Sequence, residues 1–169
     1  VDHAKKSIMG YEEGHDLVCK ISDFFCSKGG IVVDIGVSTG ELLKKLINHN
    51  SHKEKIKYFG IDIEKPMIDK AKSYIGKKKN LKLINKDIIL YDLPKNDFLI
   101  SYYTIQFIHP KFRQRVFDKI YDSLNWGGGF IFFEKVRGPD ARFQDMISNI
   151  YNNFKIEKGF SSNEILAKA

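Results

Sequence analysis

Four short runs of almost unbroken apolar residues, IVVDIG, KYFGIDI, DFLISYY and GFIFFEK, alternate along this chain with segments whose apolar residues recur at helical spacing. A strand that is apolar on every residue has to be covered on both faces. Parallel strands joined by crossover helices achieve that, whereas hairpins commonly leave one face to water. The pattern predicts strands at 31 to 36, 57 to 63, 81 to 86, 97 to 103 and 129 to 134, and helices at 12 to 27, 40 to 49, 65 to 75, 111 to 124 and 139 to 154. The expected fold class is α/β, a Rossmann-like doubly wound parallel sheet of strand order 3-2-1-4-5.

With 169 residues, 43% hydrophobic and 29% charged, the chain is sized for a single domain, 1–169, in which an N-terminal cap helix region, 1–30, precedes an α/β core, 31–169. Phe112, Val116, Ile120 and Leu124 share one helical stripe and Phe143, Met146, Ile147, Ile150 and Phe154 another; both read as core. No apolar run approaches the roughly 20 residues of a membrane span, and the first residues lack the apolar centre of a signal peptide. A cytoplasmic protein without membrane contact is expected. Cys19 and Cys26 stand seven apart in one predicted helix and read as buried thiols in a reducing compartment, and no metal site is expected. The net charge of +7 suits an anionic partner, but Lys53, Lys55, Lys57, Lys77, Lys78, Lys79 and Lys82 flank turns without interleaved aromatics. They read as a solvated face rather than a nucleic-acid contact.

The segment VVDIGVSTGELL, 32 to 43, joins the first strand to the first crossover helix and carries two chemistries at once. Gly36-Val37-Ser38-Thr39-Gly40 matches G-x-S-x-G, the turn that presents a nucleophilic serine in hydrolases. That reading needs an acid and a histidine later in the chain. The histidines after Ser38 are His49, His52 and His109, at a helix end, in a loop and before a proline, so the reading is disfavoured. The same residues also read as a backbone cradle for a nucleotide at a helix N-terminus. Asp34, Asp62 and Asp87 support the cradle, because each closes or follows a predicted strand, and ligands of open α/β sheets bind beyond those strand ends. A dinucleotide would ask for G-x-G-x-x-G, and Ser38 stands where the middle glycine belongs. With S-adenosylmethionine as ligand each acid has its own task. Asp62 accepts from the ribose hydroxyls, Asp87 from the adenine amino group beside the Ile88 N–H, and Asp34 faces the cationic methionine end, with Gly36 and Gly40 allowing close approach.

D-I-G-x-S-x-G, then G-I-D-I-E-K-P-M-I, then N-K-D-I, resembles the motif series of the class I S-adenosylmethionine-dependent methyltransferases. Within them the likeness is closest to the carboxy-S-adenosyl-L-methionine synthases, through S-I-M-G-Y before the first helix, P-M-I at 66 to 68, T-I-Q-F-I-H-P at 104 to 110, D-K-I-Y-D-S-L-N-W-G-G at 118 to 128, and E-K at 134 and 135. The resemblance implies that Tyr11, Gly36, Val37, Ser38, Asp62, Ile63, Asp87 and Ile88 line the site of S-adenosyl-L-methionine or its product S-adenosyl-L-homocysteine, with Met67 and Tyr102 beside them.

Two positions depart from the synthase pattern. The family has an asparagine where this chain has Tyr102 and an arginine where it has Ala169, both tied to the extra carboxylate of the carboxylated donor. The family also continues into strands that complete the sheet, so the terminal strands are missing here. Either a second copy, making a homodimer, or further chain is expected to cover strand five. The resemblance therefore implies a transferase acting on a small molecule or an RNA-related acceptor, with Tyr102, Tyr103, Gln106 and Lys135 as polar groups at the acceptor mouth. The alternatives are the synthase reaction, with prephenate as co-substrate and tRNA wobble-uridine modification downstream, and a non-catalytic donor-binding fragment.

Overall fold

The computed structural model describes residues 2–167, the side chains of Asp2 and His3 excepted; the arginine position of the synthases, Ala169, lies outside them. Residues 15–135 form one compact unit, and residues up to 14 together with those from 136 onward form another. The larger unit holds a five-stranded, all-parallel sheet in the order β3-β2-β1-β4-β5, the expected Rossmann-like arrangement. Its strands are β1 (Ile31–Ile35), β2 (Lys57–Asp62), β3 (Leu81–Asn85), β4 (Asn96–Tyr102) and β5 (Leu124–Phe133). Crossovers run through α3 (Glu41–His49), α4 (Lys65–Ile75) and α5 (Pro110–Ser123), and α2 (Tyr11–Phe25) leads into β1.

Alternation along the strands divides the core into two layers. Val32, Phe98 and Ile100 pack with Val18 and Cys19 of α2, Leu42, Leu43, Leu46 and Ile47 of α3, and Ile68 and Ile75 of α4. On the other face Val33, Ile35, Ile61 and Leu99 pack with Val116 and Ile120 of α5 and with Ile88 and Ile105. Both faces are therefore covered by helices, as the unbroken apolar strands require. Cys19 and Cys26 are free, buried thiols. Chain order reverses between β1 and β4, which opens a crevice beyond their carboxyl ends. No helix among the described residues is long and apolar enough to cross a membrane.

Three local expectations need correction. Helix α5 ends at Ser123 and β5 starts at Leu124, five residues before the expected 129; Gly127, Gly128 and Gly129 lie inside it, where Asn96 pairs with Leu124 and Phe98 already pairs with Gly129. Five residues of β5 thus face two of β4, a bulge that re-aligns the edge strand. Helix α2 ends at Phe25, two residues before the expected 27, and its Leu17 and Phe24 point outward, 47% and 86% exposed.

The third correction concerns the smaller unit, built from α1 (Asp2–Ser7), the start of α2, α6 (Ala141–Glu157) and α7 (Ser162–Leu166). Tyr151 Oη donates to the Ser7 carbonyl at 2.8 Å, Asp140 caps α6, and Ser161 and Glu164 form a capping box on α7. The α6 stripe read as core is largely open: Phe143, Met146, Ile147 and Ile150 are each about half exposed, and Phe154 is partly buried. Periodicity reports an amphipathic face and is silent on what covers it.

Candidate functional site

The carboxyl ends of the strands are tied together by hydrogen bonds between a carboxylate, carbonyls and a tight turn. After β1 the chain turns at Gly36, φ +75°, and again at Ser38, φ +49°. The Gly36 and Val37 N–H groups both donate to the Ile61 carbonyl, at 2.8 and 3.0 Å. The next N–H, of Ser38, donates to Asp62 Oδ2 at 2.8 Å, while Asp62 Oδ1 accepts from Glu64 N at 2.9 Å. Asn85, at the end of β3, donates to the carbonyls of Asp62 and Ile63 at 3.0 and 2.7 Å. Each Asp62 oxygen thus accepts one N–H and keeps further acceptor capacity at the mouth of the crevice.

Asp34 is 2% exposed, at the centre of the sheet between Gly60 of β2 and Ile100 of β4. Its carboxyl group receives no hydrogen bond from a described residue. Burial pushes its pKa up to about 8, and the nearby Asp62 carboxylate adds to the rise. Tyr102 stands two residues beyond Ile100 and so on the same sheet face as Asp34. Its ring meets those of His15, Phe133 and Tyr103 with centroids 4.7, 4.8 and 5.0 Å away.

The sites inferred from sequence fall into distinct settings. Ser38 is exposed and its Oγ lies 3.9 Å from Met67 Sδ, while His49 pairs with Asp23 and His109 Nδ1 caps Lys111 N, so neither of these histidines is engaged with Ser38. Val37 and Ile88 bury their side chains and offer only backbone groups; Ile63 is 61% exposed. Asp87 Oδ1 accepts from Ile89 N at 2.8 Å. The room above Gly36 is taken by the Thr104 side chain, which a Cβ there would overlap, and Gly40 makes room for Ile75 and Ala71 of α4 rather than for the strand. Tyr11 opens α2, in the smaller unit.

Beyond β4 the chain makes a single 3₁₀ turn, Ile105–Phe107, held by a residue that sequence reading left without a role. Glu134 accepts from the N–H groups of Ile105 and Gln106 at 2.7 and 3.1 Å. Gln106 in turn accepts from Lys135 N at 3.3 Å, and Tyr103, held at φ +54°, donates its N–H to the Phe133 carbonyl at 2.8 Å. Tyr102, Tyr103, Gln106 and Lys135 are thus gathered at the ends of β4 and β5. Thr104 and Glu134 complete this cluster; both lie inside motifs that carry the family resemblance, which was the one available signal.

Comparison with known proteins agrees with this fold. Residues 32–128 match the profile of the Methyltransferase domain family. The chain is 34% identical over 168 residues to carboxy-S-adenosyl-L-methionine synthase of Staphylococcus epidermidis, covering 99% of this chain and 72% of that protein. It is 35% identical over 172 residues to the protein of the same name from Sulfurimonas denitrificans, covering 99% and 71%. Among solved structures, the N-methyltransferase NodS of Bradyrhizobium japonicum in complex with S-adenosyl-L-homocysteine superposes with a TM-score of 0.63 at 16% identity, over 86% of this chain and 73% of that one.

The setting of Asp34 gives a testable pH dependence. Its folded value of about 8 lies above the roughly 3.9 of an unfolded aspartate, so the stability carried by its neutral form is complete below about pH 4 and is lost as pH rises through about 8. Asp34→Asn, which stays neutral, is expected to remove that loss. In urea unfolding the variant should gain on the wild type by on the order of 1–3 kcal/mol between pH 5 and pH 8; parallel curves would show that Asp34 is ionised throughout.

Proposed function

Since the chain belongs to the family of S-adenosylmethionine-dependent methyltransferases, we propose that its crevice binds S-adenosylmethionine through Asp34, Asp62, Asp87 and the backbone of Gly36 to Ser38 and Ile88, and that it serves methyl transfer to a small molecule. The carrying observation is Asp34: a buried carboxyl group with no hydrogen bond and no cation in contact among the described residues fits a ligand that brings positive charge. The donor supplies, when bound, a methyl group already activated by the sulfonium charge. The chain therefore needs no nucleophile of its own. Asp62 receives the ribose hydroxyls with its remaining lone pairs, and Asp87 with Ile88 receives the adenine edge. The Tyr102 ring, boxed by His15, Tyr103 and Phe133, offers a π face to a cation on the Asp34 side of the sheet. Tyr103, Gln106 and Lys135 border the acceptor, aligning it and excluding water.

The whole chain, 1–169, acts in this reading as one donor-binding domain in the cytoplasm, without membrane or direct nucleic-acid contact. The buried free thiols fit a reducing compartment. A homodimer belongs to the same reading. β5 is a sheet edge among the described strands, and none of its ten residues is fully buried. Sedimentation should give twice the monomer mass, and a monomer at high concentration would remove the second copy as the cover.

A second reading is favoured by the two curated relatives, both named carboxy-S-adenosyl-L-methionine synthase and both aligned over 99% of this chain. Against it stands Tyr102, whose single hydroxyl and aromatic box suit a cation better than an added carboxylate. Incubation with S-adenosylmethionine and prephenate, followed by mass spectrometry, is expected to leave the donor uncarboxylated; a carboxylated nucleoside formed with turnover would decide for the synthase.

Calorimetry with S-adenosyl-L-homocysteine tests the donor site directly. Asp62→Ala should cost about 1.5–3 kcal/mol of binding, because the ribose loses a charged acceptor and the Ser38 and Glu64 amides lose theirs. Equal affinity for variant and wild type, or tighter binding of NAD, would sink the proposal.

A further inference from the structure

We infer that Lys119 is a positioning residue for the adenine end of the donor, acting through the turn that follows β3; the inference rests on the donor reading above. Lys119 stands on α5, beside Ile120 of the core layer that also holds Ile88. Its ammonium donates to the Ile89 carbonyl at 3.0 Å and to the Ile88 carbonyl at 3.4 Å. Its side chain is 19% exposed, whereas its ion-pair partner Asp92 is fully exposed and 3.7 Å away. A pair of that kind contributes little, so the two carbonyls are what holds the ammonium in place.

The turn so held keeps one group open. Asp87 Oδ1 accepts from Ile89 N at 2.8 Å, and the Asp87 carbonyl accepts from Leu90 N and Tyr91 N at 3.1 and 2.9 Å. The Ile88 N–H has no acceptor among the described residues, although the Ile88 side chain is buried in the core. An N–H left open in an otherwise satisfied turn is completed by water or by a ligand atom. A purine edge with a ring nitrogen beside an exocyclic amino group is the matching chemistry: the N–H donates to the ring nitrogen and the second Asp87 oxygen accepts from the amino group. Lys119 holds the Ile88–Ile89 and Ile89–Leu90 peptides, directly after the Asp87–Ile88 peptide that carries the open N–H, and through them fixes the spacing of these two contacts. Its pull on the Ile88 carbonyl also strengthens the Ile89 N–H of the same peptide as a donor to Asp87. That bond determines which carboxylate oxygen is left for the base.

The test compares calorimetric affinities for S-adenosyl-L-homocysteine and for its inosine counterpart, in which a ring keto group replaces the amino group. The wild type should prefer the adenine compound by about tenfold or more, because in the inosine compound the ring nitrogen carries a proton and the keto oxygen faces the Asp87 oxygen, so neither of the two contacts forms. K119M is expected to lose about tenfold in affinity for the adenine compound and little for the inosine compound, so that the preference falls to within about twofold. K119R should retain most of the preference, and D92N should shift neither affinity by more than about twofold. If K119M does not fold, K119Q carries the same comparison. Unchanged preference in the Lys119 variant, or equal loss for both ligands, overturns the inference. A wild type that binds neither compound instead refutes the donor reading itself, an outcome no Lys119 variant can mimic.

Discussion

Three successive backbone N–H groups, those of Gly36, Val37 and Ser38, are captured by the end of the neighbouring strand, two by the Ile61 carbonyl and one by the Asp62 carboxylate. The rest of the site depends on this capture. It forces the chain out of β1 in a turn that needs left-handed backbone at Gly36 and Ser38, and so sets where α3 begins. It also orients Asp62, whose second oxygen is held by Glu64 N at the start of α4. A carboxylate accepting two backbone N–H groups has a fixed plane. In the proposed donor complex the Asp62 end of the crevice is therefore pre-organised by the fold, and a ligand there would not have to order the loop itself.

Electrostatics gives the crevice its polarity. Asp34 sits at the topological switch point with burial and the neighbouring Asp62 both working against its charge. A core position would do better with an apolar residue of similar volume, and such a residue would not be felt by the strand pairing on either side. In the proposed donor complex the cationic end of the ligand would offset that cost. Stability and binding therefore pull in opposite directions at this residue, which is the usual position of a group kept for function.

Much of this was legible in sequence because it rests on local pattern. Unbroken apolar runs reported two-sided burial, and the helix expected at 65 to 75 coincides with Lys65–Ile75, where Pro66 opens and Gly76 follows. The strand-end acids could be seen because strand ends can be seen. What escaped were contacts between segments distant in sequence. Thr104 over Gly36, Glu134 on the Ile105 and Gln106 amides, and Lys119 on the Ile88 and Ile89 carbonyls each join residues 28 or more positions apart, and none alters the local pattern. The exposed stripe of α6 escaped for the opposite reason: its pattern is clear, and its covering is not a property of the pattern.

Those long-range contacts couple the two sides of the crevice. Glu134 at the end of β5 anchors the 3₁₀ turn, Thr104 opens that turn, and the Thr104 side chain fills the space above Gly36. Gly36 in turn belongs to the segment captured by β2. The turn that carries Gln106 is thus in mechanical contact with the Gly36 turn through one threonine. A shift of the turn away from Glu134 would withdraw Thr104 from Gly36 and loosen both sides together. Gly36 therefore does more than permit a bend: its missing side chain is the space that Thr104, in the segment after β4, fills above the turn after β1.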